Sequence, residues 1–392
     1  MKDARAWLII LGLSLGPAAA NGFARFAYGL ILPEMRADLG WSFTEAGWIN
    51  TANAIGYLAG SIIALAAISR LGPRALFIGG MWLLAVALLL CGLTRDVVAL
   101  SAWRILAGIG GAPVFIAGGV IASAMFGGDR RKGAAALAVY FGGGGLGMIA
   151  TGGPLPFFMD AFGAAVWPLA WILLGLGAAI CFPLSVLAAM RAPDPRGGGA
   201  AAGGRLPVVA MSPALAAYFC FGLGYTGYIT FLVAWMRDGG AGAPLVAGAW
   251  SLMGAAVFAA APFWSPILAR AEGGRAIAIT LIATGTGAAI PLFLPTTPGI
   301  LASALIFGAS FFMVPTSVTA FGKRNLPEAR WGASLALMTV VFSVGQIFGP
   351  VLAGAVSDLN GDAIAGLMVG AGILLIGAAF GAAQRPLTQT AR

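Results

Sequence analysis

Residues 97–126 read VVALSAWRILAGIGGAPVFIAGGVIASAMF, a run of thirty residues in which Arg104 is the only charge. About 20 apolar residues, rising about 1.5 Å each in a helix, cross a hydrocarbon core of about 30 Å. The run therefore predicts a membrane-spanning helix, and the pattern recurs outward from it. Similar stretches at about 7–33, 44–68, 75–93, 133–158 and 167–190 complete a set of six. A second six follows at about 213–236, 245–269, 276–295, 299–322, 331–356 and 363–384. Between the sets, Arg191 to Ser212 carries Pro193, Pro195, Gly197-Gly198-Gly199 and Gly203-Gly204, a composition that reads as a flexible linker. The expectation is an all-α membrane protein of twelve transmembrane helices in two six-helix bundles. Residues 1–190 would form the first bundle, 191–212 a cytoplasmic linker and 213–392 the second. Ser42-Phe43-Thr44-Glu45 has capping-box spacing and predicts a clean start for the second helix.

Composition agrees with a lipid solvent. Of 392 residues, 60% are hydrophobic and only 9% charged, too few charges for an ordinary soluble surface. Glycine is abundant, with 60 residues, and in membranes small residues let helix backbones approach closely. The net charge of +9 is scattered in short clusters between apolar runs, so no basic stripe exists to track phosphates and no nucleic-acid partner is expected. When loops are assigned alternately to two sides, seventeen Lys and Arg fall on the side of the termini and three on the other. By the positive-inside rule, both termini are expected in the cytoplasm of a cell bounded by a bacterial-type inner membrane. The N-terminal run ending Ala18-Ala19-Ala20 resembles a signal peptide, but apolar character resumes through Leu30-Ile31-Leu32, which favours a retained first helix. Cys91, Cys181 and Cys220 all lie in apolar segments without metal-ligand spacing, so neither disulfides, a metal nor a cofactor is expected.

Several motifs resemble the major facilitator superfamily, nearly along the whole chain. Ser69-Arg70-Leu71-Gly72-Pro73-Arg74 is similar to its D-R-x-G-R-K loop between helices 2 and 3, with Ser69 in place of the acid and Pro73 in place of one base. Arg104-Ile105-Leu106-Ala107-Gly108-Ile109-Gly110 resembles the R-x-x-x-G-x-G motif of helix 4. Gly142 to Gly147 with Gly152-Gly153-Pro154 resembles the glycine-proline motif of helix 5, and Gly345-Gln346-Ile347-Phe348-Gly349-Pro350 with Gly354 repeats it in helix 11. More narrowly, Gly22 to Gly29 (GFARFAYG) with Pro33, Asp38-Leu39-Gly40-Trp41-Ser42 and Asn50-Thr51-Ala52-Asn53 resemble the YbfB/YjiJ-like branch. The resemblance implies two bundles around a central cavity that opens alternately to the two faces, monomeric function, and conformational roles for Arg70, Gly72, Arg74, Gly153, Pro154, Gly349 and Pro350.

Ionisable residues in a span cost several kcal/mol unless they face a partner or a wet cavity, which makes them functional candidates. Two stand out. Arg25 lies roughly 7 Å outward of the centre of helix 1, and Arg104 roughly 10 Å outward in helix 4, at about 1.5 Å per residue. All thirteen acidic residues fall in loops or at helix ends, and the chain has no histidine. A guanidinium is a planar fork of donors that matches a carboxylate or phosphate. One or both arginines would then hold an anionic substrate; alternatively each bonds carbonyls between helices and stabilises a bundle. Asn21, Arg25 and Tyr28 share a face at i, i+4 and i+7, and Asn50, Asn53 and Tyr57 share one on helix 2 at i, i+3 and i+7. The two stripes are expected to meet, as part of a site or as interhelical packing. Tyr225, Tyr228 and Gln346 are the candidates from the second half.

These features predict a secondary or facilitative transporter of a small organic anion, embedded in the lipid bilayer. The rival is an exporter of hydrophobic or amphipathic compounds, favoured by the wealth of Phe, Met and Trp. An enzyme is disfavoured, because no catalytic constellation of His, paired intramembrane carboxylates or Cys-His exists. A sensor is disfavoured because no loop can hold an output domain, and ATP-driven transport because no G-x-x-x-x-G-K-[ST] loop occurs. Proton transporters commonly use an embedded carboxylate or histidine, which this chain lacks at depth, so a uniporter, an exchanger or a substrate that brings its own proton fits better.

Overall fold

In lipid, a backbone N–H or C=O without a partner costs several kcal/mol, which leaves helices as the natural solution for apolar spans. The computed structural model describes residues 2–127, 129–193, 195 and 206–387, and among them there is no β-strand. Most of the expected linker lies outside the described residues. Among the described residues twelve helices are long and apolar enough to cross a membrane. They are α1 (Asp3–Leu39), α2 (Phe43–Leu71), α3 (Pro73–Cys91), α4 (Val97–Ala124), α5 (Arg131–Phe162) and α6 (Ala164–Arg191). The second six are α7 (Ser212–Asp238), α8 (Ala243–Arg270), α9 (Arg275–Phe293), α10 (Thr297–Asn325), α11 (Glu328–Asn360) and α12 (Ala363–Ala383). Several run a turn or more beyond the apolar stretches read from the sequence, because hydropathy marks only the part in hydrocarbon while the helix continues into its polar ends.

Neighbouring helices run in opposite directions. At one end Arg95 bonds both Asp38 at 2.6 Å and the Ala165 carbonyl at 3.2 Å, which gathers the far end of α1, the turn after α3 and the start of α6. At the other, the face of the termini, Lys132 pairs with Asp3 at 2.8 Å. Turns between helices are short and use glycine where the chain must enter the left-handed region, with φ of 66° at Gly40 and 80° at Gly72. The second helix starts as its sequence predicts. Ser42 Oγ accepts from the Glu45 amide at 3.1 Å while Glu45 accepts from the Ser42 amide at 2.9 Å.

Three spans are interrupted. Residues Ala18–Phe26 of α1 form a π-helix after Pro17. α5 breaks at Gly153, where Pro154 opens a new segment, and α10 breaks at Phe312. Pro350, by contrast, sits within an unbroken helix from Trp331 to Asn360.

Glycine lets the backbones touch. A Cβ on Gly56 would collide with the Ile105 carbonyl of α4, and one on Gly108 with the Asn53 carbonyl of α2. Between the two sets of six helices, Gly47 and Gly354 admit α2 against α11, Gly29 admits α1 against α7, and Gly145 and Gly254 admit α5 against α8. Every hydrogen bond and ion pair joining the two sets among the described residues lies toward the face away from the termini. The molecule is thus held shut at that face. Overpacking a close contact costs about 1–3 kcal/mol. Gly56→Val is accordingly expected to lower the thermal midpoint of the solubilised protein, whereas Gly79→Val, at a glycine with open space around it, is expected to leave it unchanged; a fluorescence melt compares the two.

Candidate functional site

The π-helical segment of α1 is the only such helix among the described residues, and it carries Asn21 and Arg25. Its i→i+5 bonding widens each turn, and π-turns recur at functional sites. The wider turn also separates residues that a regular helix would align. Arg25 lies over the Tyr57 ring of α2, 5.0 Å from its centroid, and close enough to Tyr225 on α7 to act on it electrostatically. Tyr28 instead turns into the first bundle, donates to the Ala46 carbonyl at 2.6 Å and stacks on Trp171. The shared face of Asn21, Arg25 and Tyr28 is therefore not present; the π-turn removes Tyr28 from it.

The two arginines have different surroundings. Arg104 is fully buried within the first six helices. Its Nη1 donates to the Ala24 carbonyl of α1 and its Nε to the Ile49 carbonyl of α2 at 3.4 Å. The Tyr28 and Trp171 rings lie 5.3 and 5.0 Å away, and Nη2 has no partner. Such a group bridges three helices by feeding carbonyls and aromatic faces. Arg25 sits between the bundles, 8% exposed, with no carboxylate against it among the described residues.

The asparagines divide as well. Asn53 Nδ2 donates to the Arg104 carbonyl at 3.1 Å and belongs to the α2–α4 contact. Asn50 Nδ2 crosses to Thr230 Oγ1 of α7 at 2.6 Å, so it ties the two bundles together. Asn21 faces Gly144 of α5, beside Phe312.

From the second bundle, Gln346 Nε2 donates to the Tyr225 hydroxyl, while Gln346 Oε1 is buried without a partner. Ser343, one turn earlier on α11, is wholly buried and its hydroxyl is also unpartnered. Tyr228 points away from this cluster, its hydroxyl 2.6 Å from that of Ser303 and its ring stacked on Phe307. Sequence reading missed the aromatic wall beside Tyr225. Tyr218 stacks on Phe342 at 4.8 Å and Phe221 on Tyr225 at 4.7 Å, all four rings within 16° of parallel in the contacting pairs. The i, i+3, i+7 spacing of Tyr218, Phe221 and Tyr225 was the available signal.

The arrangement sets a guanidinium and a tyrosine on one bundle opposite a flat aromatic wall with two unsatisfied polar groups on the other. The family model described as "Uncharacterised MFS-type transporter YbfB" matches residues 18–381. The chain belongs to this family of major facilitator transporters. The family is one of transporters rather than enzymes. No curated protein matches the sequence. Among solved structures, a D-xylose-proton symporter superposes with a TM-score of 0.75 at 12% identity, over 98% of each chain. The nucleoside transporter NupG gives 0.70 at 13% identity, over 96% of this chain and 97% of its own. A bacterial homologue of the human lysosomal transporter Spinster gives 0.66 at 15%, over 96% of each. At these identities the likeness establishes the fold.

The expected conformational residues fall in two places. Arg70 is exposed at the end of α2, Gly72 supplies the left-handed turn, and Arg74 donates to the Ala189 and Ala192 carbonyls at 3.0 and 2.8 Å, fastening α3 to the end of α6. Gly349 packs on Thr226 of α7, Pro350 on Gly47 of α2, and the Gly153-Pro154 break lies beside Gly152, which abuts Trp250 of α8. Hydrogen bonds to a charged group contribute about 1.5–3 kcal/mol each, so Arg104→Gln is expected to lower the unfolding free energy of the transporter by about that amount. Denaturant unfolding of the purified protein, with Arg25→Gln nearly unchanged beside it, checks this.

Proposed function

We propose that this transporter carries a small organic anion across the inner membrane by alternating access, with Arg25 as the charge anchor. The observation that carries the reading is Arg25 itself: a guanidinium between the bundles, lying over one tyrosine face and near a second tyrosine, with no carboxylate against it among the described residues. Two further observations support it. Gln346 Oε1 and Ser343 Oγ are buried with unmet hydrogen-bonding capacity on the adjoining helix, and buried polar groups are ordinarily satisfied. A ligand with polar groups around its charge would satisfy both. Asn21 adds a further amide, and the Tyr218–Phe221–Tyr225–Phe342 wall gives the body of the substrate a flat apolar surface.

Arg104, Tyr28, Asn53 and Tyr228 hold the bundles around this site rather than touch the substrate. Asn50 belongs to the seam that closes it. With the termini in the cytoplasm, as the positive-inside bias supports, the state described is shut toward the outside. The fold itself is compatible with neutral solutes, as the nucleoside transporter and the xylose symporter with the same architecture illustrate, so the charge preference rests on Arg25.

The aromatic wall also favours a second reading, export of amphipathic compounds. The two readings separate in one experiment, because a ligand that binds only the folded state raises apparent stability. The purified protein and Arg25→Gln are melted against mono- and dicarboxylates, phosphorylated metabolites and hydrophobic drugs. An organic anion is expected to raise the melting temperature of the wild type by several degrees and that of the variant by none. Equal shifts of both proteins by uncharged or cationic compounds would make Arg25 structural and establish the exporter reading.

A further inference from the structure

The first four N–H groups of a helix have no partner within the helix and must find one elsewhere. At the start of α2 the capping box accounts for the amides of Ser42 and Glu45. The amides of Phe43 and Thr44 remain, and both are taken by one side chain of the other bundle. Asp358, near the end of α11, accepts from Phe43 N at 2.7 Å, from Thr44 N at 2.9 Å and from the Thr44 hydroxyl at 2.5 Å.

The start of α8 has the mirror problem. Gly242 offers no side-chain cap, and Pro244 brings no amide. The Ala243 amide is taken at 3.0 Å by Asp160, at the end of α5 in the first bundle. Asp160 also pairs with Arg237 of α7 at 2.7 Å. The helix numbers show the relation between these contacts. α5 and α11 are six apart, and so are α2 and α8. One half of the molecule thus sends a carboxylate from its fifth helix to the second helix of the other half, and receives the same in return.

We propose that Asp160 and Asp358 are a symmetry-related pair of latches that hold the face away from the termini closed, each by capping a helix of the opposite bundle. Opening that face returns four groups, the three amides and the Thr44 hydroxyl, to water, which satisfies them in turn. The latch is therefore strong enough to favour closure and weak enough to release. The two ends differ in one respect. Asp160 shares its site with Arg237, whose Nε has no partner, and with the nearby Glu34, whose Oε2 is likewise buried and unpartnered. Among the described residues the Asp358 latch has no such ion pair and consists of its hydrogen bonds. The proposal holds for any substrate, because it rests only on the family's two-bundle architecture.

The test measures distances in lipid nanodiscs by pulsed spin-label spectroscopy, in a background without Cys91, Cys181 and Cys220. One label pair replaces the exposed Val98 of α4 and Phe293 of α9 at the closed face, and another replaces the exposed Leu71 of α2 and Leu335 of α11 at the opposite face. In the Asp160→Asn, Asp358→Asn double variant the ratio of long to short Val98–Phe293 distances is expected to rise about tenfold, the scale of lost charge-assisted hydrogen bonds. The Leu71–Leu335 distance should shorten in the same fraction of molecules. Each single variant should give part of this change. An unchanged Val98–Phe293 distribution overturns the proposal, as does lengthening there without shortening at Leu71–Leu335, which would be loosening rather than switching. Should the double variant fail to fold, Thr44→Cys with Asp358→Cys serves instead. Joined by a disulfide, it is expected to stay at the short distance, and after reduction, with the Asp358 latch and the link both gone, to populate the long one to the extent of the single variant. A reduced protein that remains short overturns the proposal.

Discussion

Lipid tails are as apolar as leucine, so helices in a bilayer gain little by hiding leucine from their solvent. What joins them is close approach, and here glycine sets how close. Within the first bundle α2 and α4 meet with Gly56 against Ile105 and Gly108 against Asn53, and α3 meets α4 through Gly80 and Gly110. The same device continues across the seam, at Gly47, Gly354, Gly29, Gly145 and Gly254. The two kinds of contact differ in what accompanies them. Inside the bundle, Arg104, Asn53 and Tyr28 add hydrogen bonds that no water reaches. Across the seam, the outermost polar contacts are those of carboxylates at the rim, which water replaces when the face opens. Each bundle is built to stay together and the seam to part.

The two membrane-depth arginines show how surroundings assign a role. A guanidinium in hydrocarbon must be fed with acceptors or face a wet cavity. Arg104 is fed by two carbonyls and two aromatic rings from three neighbouring helices, and it is wholly enclosed. Its Nη2 is left without a partner, but it is enclosed within the first bundle rather than facing the space between the bundles. Arg25 meets one aromatic ring face, lies near a second tyrosine, and sits where the bundles face each other. Among the described residues no carboxylate lies against it.

Much of this was legible in the sequence. Twelve apolar runs fixed the helix count, Arg104-Ile105-Leu106-Ala107-Gly108 pointed to the family, and Ser42 to Glu45 marked a helix start. The site was legible in part. Arg25, Asn21, Tyr225 and Gln346 were visible as polar residues at depth; Arg25, Tyr225 and Gln346 lie close together, while Asn21 faces Gly144 of α5. Tyr28 was misplaced because facing was read with a regular helical period, and nothing in Ala18 to Phe26 announces a π-turn apart from the proline before it. The aromatic wall was hidden because Phe is unremarkable in a membrane. Asp160 and Asp358 were read only as helix-end acids, since their partners lie more than 80 and 310 residues away.

The symmetry of the chain divides along the same line. Under an exchange of the two halves the α2–α11 contact maps onto α8–α5, and α1–α7 maps onto itself, so the closing seam repeats itself about an axis between α1 and α7. The repeat extends to the helix pairing and to the capping carboxylates but not to the ion pair, which among the described residues only Asp160 makes. The site beside the axis breaks the symmetry. On α1 it presents a cation from a π-turn, whereas α7 is an unbroken helix that presents stacked aromatic rings. A symmetric site would offer both ends of a substrate the same chemistry. Here α1 presents a guanidinium and α7 stacked rings, so what the halves share lies in the seam and what distinguishes them lies in the residues beside the axis.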